Sequence, residues 1–230
     1  RMERQPVRFM TRELPVALRS AAESLAAYLG TRGECIGFVD NATTAINAVL
    51  RWIDWRHGDE VLVCRHVYPG VGNAVNAICE RFGVRQLEAM FEVPLAGEDA
   101  VTAAFDAQLG PATRLVIVDH VSSPLAAVMP VARIVDLCRS RGVPVLVDGA
   151  HAPGMLDLDL DALGADWYTG NCHKWLYAPK GCGFLWNAPH QAPATHPGVI
   201  SVDWGKGYAR EFDWTGTRDP SAWLSVPAAI

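Results

Sequence analysis

The sequence predicts an α/β fold: a three-layer α/β/α sandwich around a mostly parallel central sheet. Three observations predict it. Short apolar runs alternate with segments of helical periodicity. The runs at 113–121 ("TRLVIVDHV") and 143–151 ("VPVLVDGAH") are almost continuously apolar, as expected for parallel strands covered on both faces. The 230 residues, half of them hydrophobic, suffice for one large core.

The first elements alternate helix and strand. Residues 13–30 have helical periodicity and end on a glycine, which commonly stops a helix. Residues 35–40 form a short apolar strand, and 41–53 follow as a helix with a polar start. Residues 60–66 are the next strand, and 71–83 are a helix that again ends on a glycine.

The alternation continues to the middle of the chain. Residues 84–90 are a weaker strand, and 98–110 are a helix closed by a glycine. Residues 113–121 are the clearest strand so far. Residues 130–142 form a helix with proline in its first turn and glycine after its end, and 143–151 return as a buried strand.

The last third is less regular. Residues 163–170 predict one more short strand, followed by Lys174 and a second apolar run at 183–186. A proline-rich connection starts at Ala188, and 199–204 ("VISVDW") is interpreted as a strand. No internal repeat or low-complexity linker is present, so the sequence predicts a single domain over 1–230.

Composition argues against several classes of protein. The formal charge of −5 is mild and not segregated, which gives no support for binding nucleic acid or an anionic membrane. No apolar run approaches the roughly 20 residues that span a bilayer. Six cysteines are scattered without metal-ligand spacing, so we expect reduced thiols, no metal site and a cytoplasmic protein.

Two polar clusters follow early strands, where ligands bind in open α/β sheets. Asn41, Ala42, Thr43 and Thr44 start a helix, whose free N–H groups suit a phosphate, although ordinary N-capping explains them equally simply. The segment 65–70 ("RHVYPG") places two aromatic rings, at His66 and Tyr68, where one could stack on a flat cofactor or pack its own turn.

Two further clusters follow later strands. Ser122 and Ser123 could donate hydrogen bonds to an oxyanion, or form a turn before Pro124. Asp148 ends a strongly apolar strand, so its carboxylate requires a cation or several donors, and His151 follows it in a glycine-bounded turn.

The most informative residue is Lys174, in "TGNCHKWLYAPKGCGFLW" (169–186). The strand at 163–170 would bring it back to the sheet edge that carries Asp148. A carboxylate that can hold a protonated pyridine nitrogen, a lysine amine and a phosphate cradle together describe a pyridoxal 5′-phosphate site.

These motifs resemble those of class V aminotransferase-type pyridoxal phosphate enzymes of fold type I, and within them isopenicillin N epimerase-like proteins. The resemblance runs from about Pro15 to Trp223 and includes "DGAHAPG", the lysine segment, "NATTAINAVL", "HVYPGVGNAV", "HVSSPLAAVMPV" and "EFDWTGTRDPSAWL".

The resemblance implies a role for each catalytic residue. Lys174 would carry the cofactor covalently and then act as the base. Asp148 would pair with the pyridine nitrogen, and His151 would face the phenolic oxygen.

The resemblance also implies the remaining contacts. The phosphate would be held by His173 with Ala42, Thr43 and Thr44. His66 or Tyr68 would stack on the ring. Thr217 would reach the phosphate of a neighbouring subunit, which implies a homodimer.

Departures from the family pattern refine these expectations. Cysteine desulfurases usually have Asn and Gln where this chain has Ser123 and His151, which favours the epimerase-like branch. Epimerisation at the α-carbon of an amino acid is therefore preferred; a carbon–sulfur lyase or cysteine desulfurase-like activity and a non-catalytic scaffold are the alternatives. Because family members are longer, we expect 1–230 to be the large cofactor-binding domain, without the C-terminal small domain and an N-terminal segment.

Overall fold

A single seven-stranded sheet organises the structure, a computed structural model that describes residues 2–230. The strand order is β1-β7-β6-β5-β4-β2-β3, and only β7 runs antiparallel to its neighbours. The strands are β1 Ile36–Val39, β2 Glu60–Cys64, β3 Arg85–Ala89, β4 Thr113–Asp119, β5 Val145–Gly149, β6 Trp167–Asn171 and β7 Gly183–Asn187.

Helices cover both faces of this sheet. In chain order they are α1 Pro6–Arg8, α2 Leu14–Tyr28, α3 Ala42–Trp52, α4 Pro69–Phe82, α5 Glu98–Asp106, α6 Val131–Ser140, α7 Leu160–Leu163, α8 Tyr208–Asp213, α9 Ser221–Leu224 and α10 Val226–Ala229. A π-helical segment, Phe9–Glu13, joins α1 to α2, and 3₁₀ turns occupy Met2–Arg4, Gly33–Cys35 and Pro189–Ala194.

The pleat of the strands divides the interior into two cores. Along β4, Leu115 and Ile117 face α3, α4 and α8, whereas Val116 and Val118 face α2, α5 and α6. Because successive side chains of a strand point to opposite faces, a continuously apolar strand fills both layers. The predicted α/β/α sandwich with a mostly parallel sheet is confirmed.

Strand register brings polar residues together at one edge. Asp119 at the end of β4 pairs with Asp148 near the end of β5, and Asp148 pairs with Thr169 on β6. Residues paired in this way point to the same face of the sheet. Both aspartates therefore lie on the side of α3 and α4, beyond the last apolar row.

The interpretation of 199–204 as a strand was wrong. These residues form a turn and irregular chain, and Val199, Ile200 and Val202 remain exposed. Alternating apolar residues form a strand only where a neighbouring strand accepts their backbone hydrogen bonds. In the described residues this segment pairs with none.

Residues 2–230 contain neither a membrane-spanning helix nor a metal-binding cluster. None of the helices there is both long enough and apolar enough to cross a bilayer. The same residues contain no group of three or more His, Cys, Asp or Glu arranged to hold a metal ion. All six cysteines are free thiols, and five of them are buried.

Candidate functional site

A cavity of about 520 Å³ opens at the carboxyl ends of the parallel strands. This volume lies in the range of small-molecule and cofactor sites. It is lined by residues from the start of α3, the turn before α4, and the ends of β4, β5 and β6: Asn41, Ala42, Thr43, Thr44, Tyr68, Asp119, Val121, Ser123, Asp148, Ala150, His151, Asn171, His173 and Lys174.

Of the site residues predicted from the sequence, all line this cavity except His66, Ser122 and Thr217. Of the two rival aromatic residues, only Tyr68 lines it. The His66 ring instead packs against Phe91, with centroids 5.9 Å apart.

Lys174 lies in the turn that follows β6, with its side chain half-buried. Its Nζ is 3.1 Å from Nε2 of His151. Burial lowers the pKa of the Lys174 amine, and the charge of Asp148 partly opposes that shift. A larger fraction of the amine is therefore neutral, and only the neutral amine acts as a nucleophile or base.

Close backbone packing fixes the position of this turn. Gly154 has a φ of +89°, and a Cβ there would overlap the backbone carbonyl of Trp175. Without a side chain at Gly154, the turn after β5 can approach the lysine segment directly. The glycine in "HAPG" thus allows the two loops to meet.

Two buried carboxyl groups form the floor of the cavity. Asp148 is 5% exposed, and its Oδ1 accepts a hydrogen bond from the N–H of Ala150 at 3.0 Å. Burial raises its pKa, an effect partly offset by that bond and by Lys174. Asp119 is 4% exposed, and its Oδ2 has no hydrogen-bond partner among the described residues.

Burial favours the protonated form of both carboxyl groups on this floor. Burial, together with the neighbouring Asp148, raises the pKa of Asp119 to about 8. No Arg or Lys of residues 2–230 ion-pairs with either carboxyl group. A buried carboxylate is stable only beside a cation or several donors, so the floor fits a cationic nitrogen.

The opposite wall suits an anion. Asn41 caps α3 by accepting a hydrogen bond from the N–H of Thr44 at 2.9 Å, and Asn171 accepts one from the N–H of Ala42 at 2.9 Å. These bonds hold the positive end of the α3 dipole at the cavity. A phosphate at this helix start would meet the N–H of Thr43, which these two bonds do not engage, and threonine hydroxyls.

His173 adds a donor to this wall. Its Nδ1 accepts the N–H of Cys182 at 3.0 Å, so in the neutral ring Nε2 carries the proton. Burial is the main effect on His173 and lowers its pKa. The ring is therefore a neutral N–H donor that lines the cavity.

Sequence reasoning missed Asp119 and Asn171 as site residues. A signal for Asp119 was present, since "VIVD" at the end of β4 repeats the "VLVD" at the end of β5. No such signal marks Asn171, whose contact with Ala42 joins residues 129 positions apart.

Thr217 is exposed and lies outside this cavity. Its neighbour Arg218 forms an ion pair with Asp40, next to the cavity residue Asn41. The guanidinium of Arg218 also lies 4.4 Å from the ring centre of Trp223. The segment is thus anchored beside the start of α3, while Thr217 itself faces solvent. The stretch before it contains α8.

The cavity fits pyridoxal 5′-phosphate in three independent respects. It provides a half-buried amine, a pair of buried carboxyl groups without a cation, and an anion-binding helix start. An aldehyde, a basic ring nitrogen and a phosphate are the complementary groups of that cofactor. A Tyr68 ring at the entrance adds a surface for stacking.

Comparisons with known proteins agree with this geometry. Residues 7–203 match the family model for aminotransferase class V. The chain is 38% identical to isopenicillin N epimerase of Amycolatopsis lactamdurans, over 100% of this chain and 62% of that protein. It is 34% identical to a probable chloroplastic L-cysteine desulfhydrase of Arabidopsis thaliana, over 100% of this chain and 52% of the relative.

Solved structures show the same fold. The cystine C–S lyase C-DES, in complex with cysteine persulfide, superposes with a TM-score of 0.81 and 32% identity, over 95% of this chain and 59% of that one. A variant of C-DES with glycine covalently linked to its pyridoxal phosphate cofactor has a TM-score of 0.81 and 31% identity, with coverage of 95% and 58%. The chain thus spans about half to three-fifths of the length of these relatives.

The family and these neighbours indicate pyridoxal 5′-phosphate as the cofactor, in agreement with the amine, carboxyl and phosphate-binding groups of the cavity. The chain belongs to the aminotransferase class-V family.

Proposed function

We propose that this chain is the cofactor-binding domain of an enzyme that moves the α-proton of an amino acid, most simply an isopenicillin N epimerase-like epimerase. One observation carries the proposal. The half-buried amine of Lys174 lies in one cavity with the buried carboxyl group of Asp148 and 3.1 Å from His151. An amine, a carboxyl group and an imidazole in this arrangement can attach an aldehyde cofactor and transfer protons beside it.

When bound, pyridoxal 5′-phosphate supplies an electron sink for the electrons left by the departing α-proton. Asp148 would pair with the ring nitrogen and keep a proton on it, because no other cation of residues 2–230 lies within ion-pairing range of its carboxylate. Lys174 would hold the cofactor through its amine and, when that amine is free, would accept the α-proton. Burial lowers the pKa of its amine, which increases the share of the free base.

The other cavity residues orient the reacting groups. His173 would donate its Nε2–H to the phosphate, with Thr43 and Thr44 at the start of α3. Tyr68, which lines the same cavity, would stack on one face of the ring. Ser123 and His151 would bind the phenolic oxygen.

Epimerisation requires a proton to return to the α-carbon from the other face. The similarity to two isopenicillin N epimerases, at 38% and 34% identity, supports this outcome. A carbon–sulfur lyase is the second candidate. The fold similarity to the cystine lyase and the identity of 32–35% to cysteine desulfhydrases support it.

We further propose a homodimer in which Thr217 binds the phosphate of the partner subunit. Two observations support this. Thr217 is exposed on a segment anchored beside α3, and it does not contact the cavity of its own chain. A phosphate bound in the cavity of a neighbouring subunit would provide a ligand for this exposed hydroxyl.

Covalent attachment tests the cofactor assignment. The protein is incubated with pyridoxal phosphate, reduced with borohydride and digested, and the modified lysine is identified by mass spectrometry. We expect the label on Lys174, its loss in Lys174→Ala and its retention in the control Lys206→Ala. A label on Lys180, or none in the wild-type protein, would contradict the assignment, and the second result would favour a scaffold.

Proton exchange tests the reaction. The protein is incubated with a panel of amino acids in D₂O, and loss of the α-proton is followed by NMR together with chiral chromatography and sulfide release. Exchange with inversion supports epimerisation, whereas sulfide from cysteine or cystine supports the lyase. Labelling of Lys174 without exchange of any amino acid would reject the proposed reaction while leaving the cofactor assignment in place.

A further inference from the structure

The side chain of Trp175 contacts the catalytic pair from outside the cavity. Its indole Nε1 donates a hydrogen bond to Nδ1 of His151 at 3.2 Å, and Nε2 of the same ring is 3.1 Å from Nζ of Lys174. A continuous chain of hydrogen bonds thus runs from Trp175 through His151 to Lys174. Trp175 itself is 43% exposed and does not line the cavity.

The indole of Trp175 fixes which atoms donate and which accept in this series of hydrogen bonds. An indole N–H is only a donor, so Nδ1 of His151 must be the acceptor and cannot carry a proton. The protonated ring is excluded for the same reason, and in the neutral ring the proton must be on Nε2. Nε2–H can then bond Lys174 only if the amine offers its lone pair, that is, if the amine is neutral.

We propose that Trp175 is a positioning residue that holds the proton of His151 on Nε2, so that His151 donates to Lys174 and favours its free-base form. The proposal rests on the proposed function for the importance of Lys174, and it adds a residue that the reaction itself does not touch. Trp175 would act entirely through His151.

The surrounding charges agree with this direction. Burial, followed by the nearby Lys174, lowers the pKa of His151, and burial lowers that of Lys174. The other titratable side chains that line the cavity are Asp148, Asp119, His173 and Tyr68. Asp148 opposes the effect, because its charge favours the ammonium form of Lys174. Burial outweighs Asp148, and a hydrogen bond to the neutral amine acts in the same direction as burial.

Loss of the indole N–H should exchange donor and acceptor in the hydrogen bond between His151 and Lys174. In Trp175→Phe, His151 becomes free to place its proton on Nδ1 and to accept from the Lys174 ammonium through Nε2. The pKa of Lys174 should then rise. With a net worth of about 1 kcal/mol for one such bond, the midpoint rises by about 0.5–1 pH unit.

Competitive labelling of amines measures this midpoint without cofactor. The protein is treated with a limiting acid anhydride over a range of pH, and peptide mass spectrometry gives the labelling rate of each lysine. The sequence has three lysines, so Lys180 and Lys206 act as internal references. We expect the lowest midpoint at Lys174, and at pH 7.5 about three- to tenfold slower labelling in Trp175→Phe. The midpoint, unlike the rate, does not depend on how accessible the amine is.

Three variants separate positioning from packing. Trp175→Gln retains an N–H donor and should restore the low midpoint, and Trp204→Phe, at another exposed tryptophan, should change nothing. In a His151→Phe background, Trp175→Phe should shift nothing further. An unchanged midpoint in Trp175→Phe, or an equal shift without His151, would overturn the proposal.

A direct reading of the tautomer requires no variant. ¹⁵N NMR of His151 in the wild-type protein should show a protonated Nε2 and an unprotonated Nδ1, and the opposite pattern would refute the proposal. Failure of this proposal can be distinguished from failure of the proposed function. A protonated Nδ1 on His151 would reject the role of Trp175 alone, whereas missing cofactor attachment or missing α-proton exchange in the wild-type protein would reject the proposed function.

Discussion

Asp119 should make the cofactor-free protein less stable as the pH rises, and Asp119→Asn should remove this effect. Burial and the adjacent Asp148 raise the pKa of Asp119 to about 8, compared with about 3.9 in an unfolded chain. The folded state therefore binds this proton more tightly. Its contribution to stability is fully present below about pH 4 and is lost as the pH rises to about 8.

The contribution of the neighbouring His120 to stability has the opposite dependence on pH, and it limits the pH range in which Asp119 can be measured. Burial lowers its pKa to about 4, and its ring accepts or donates a 2.8 Å hydrogen bond with the hydroxyl of Tyr168. Its contribution is lost as the pH falls from about 6.5 towards 4. Between pH 6.5 and 8, only Asp119 of this pair titrates in the folded state. Over this range the titration of Asp119 lowers the free energy of unfolding by about 1.5 kcal/mol. The free energy changes by about 1.4 kcal/mol per pH unit well below the pKa, and by less near it.

Urea unfolding followed by tryptophan fluorescence measures this quantity. The free energies of unfolding at pH 6.5 and 8.0 are compared for the wild-type protein, Asp119→Asn and the control Asp136→Asn, an exposed aspartate on α6. The difference between the proteins measures the titration of Asp119 together with its coupling to Asp148. We expect a decrease in the wild type and the control that exceeds the change in Asp119→Asn by about 1.5 kcal/mol. An equal decrease in all three would refute the reasoning.

Three other predictions concern the site. Asp148→Asn should still attach the cofactor but slow α-proton exchange by about 10²–10⁴-fold, since a neutral amide cannot hold the ring nitrogen protonated; near wild-type exchange would remove Asp148 from this role. Gly154→Ala should lower the free energy of unfolding by about 1–3 kcal/mol and reduce cofactor attachment, because its Cβ meets the carbonyl of Trp175 at a positive φ; an unchanged urea midpoint would contradict this. Mixing inactive Lys174→Ala with inactive Thr217→Ala should restore some activity through one intact site per heterodimer, and no recovery after verified subunit exchange would argue against the shared site.

The sequence by itself determined the layers of the fold and most of the chemistry of the site. The runs that became β4 and β5 are continuously apolar over 115–118 and 145–147, and such runs are stable between two layers of helices. Because parallel strands end at one edge, polar residues placed after them were expected to meet. The cavity does contain Lys174, Asp148 and Thr43.

Only the tertiary structure decided which residues share a face, and which atoms touch. Register placed Asp119 beside Asp148, and the path of one loop placed Tyr68 at the cavity but His66 outside it. The segment at 199–204 has the pattern of a strand but lacks a partner strand among the described residues. The position of the proton on His151 follows from its contact with the indole of Trp175, which sequence spacing does not predict. Strand order, pairing and hydrogen-bond direction depend on contacts between residues far apart in the chain. Local sequence pattern carries little information about them, because each is settled by the packing of the whole sheet.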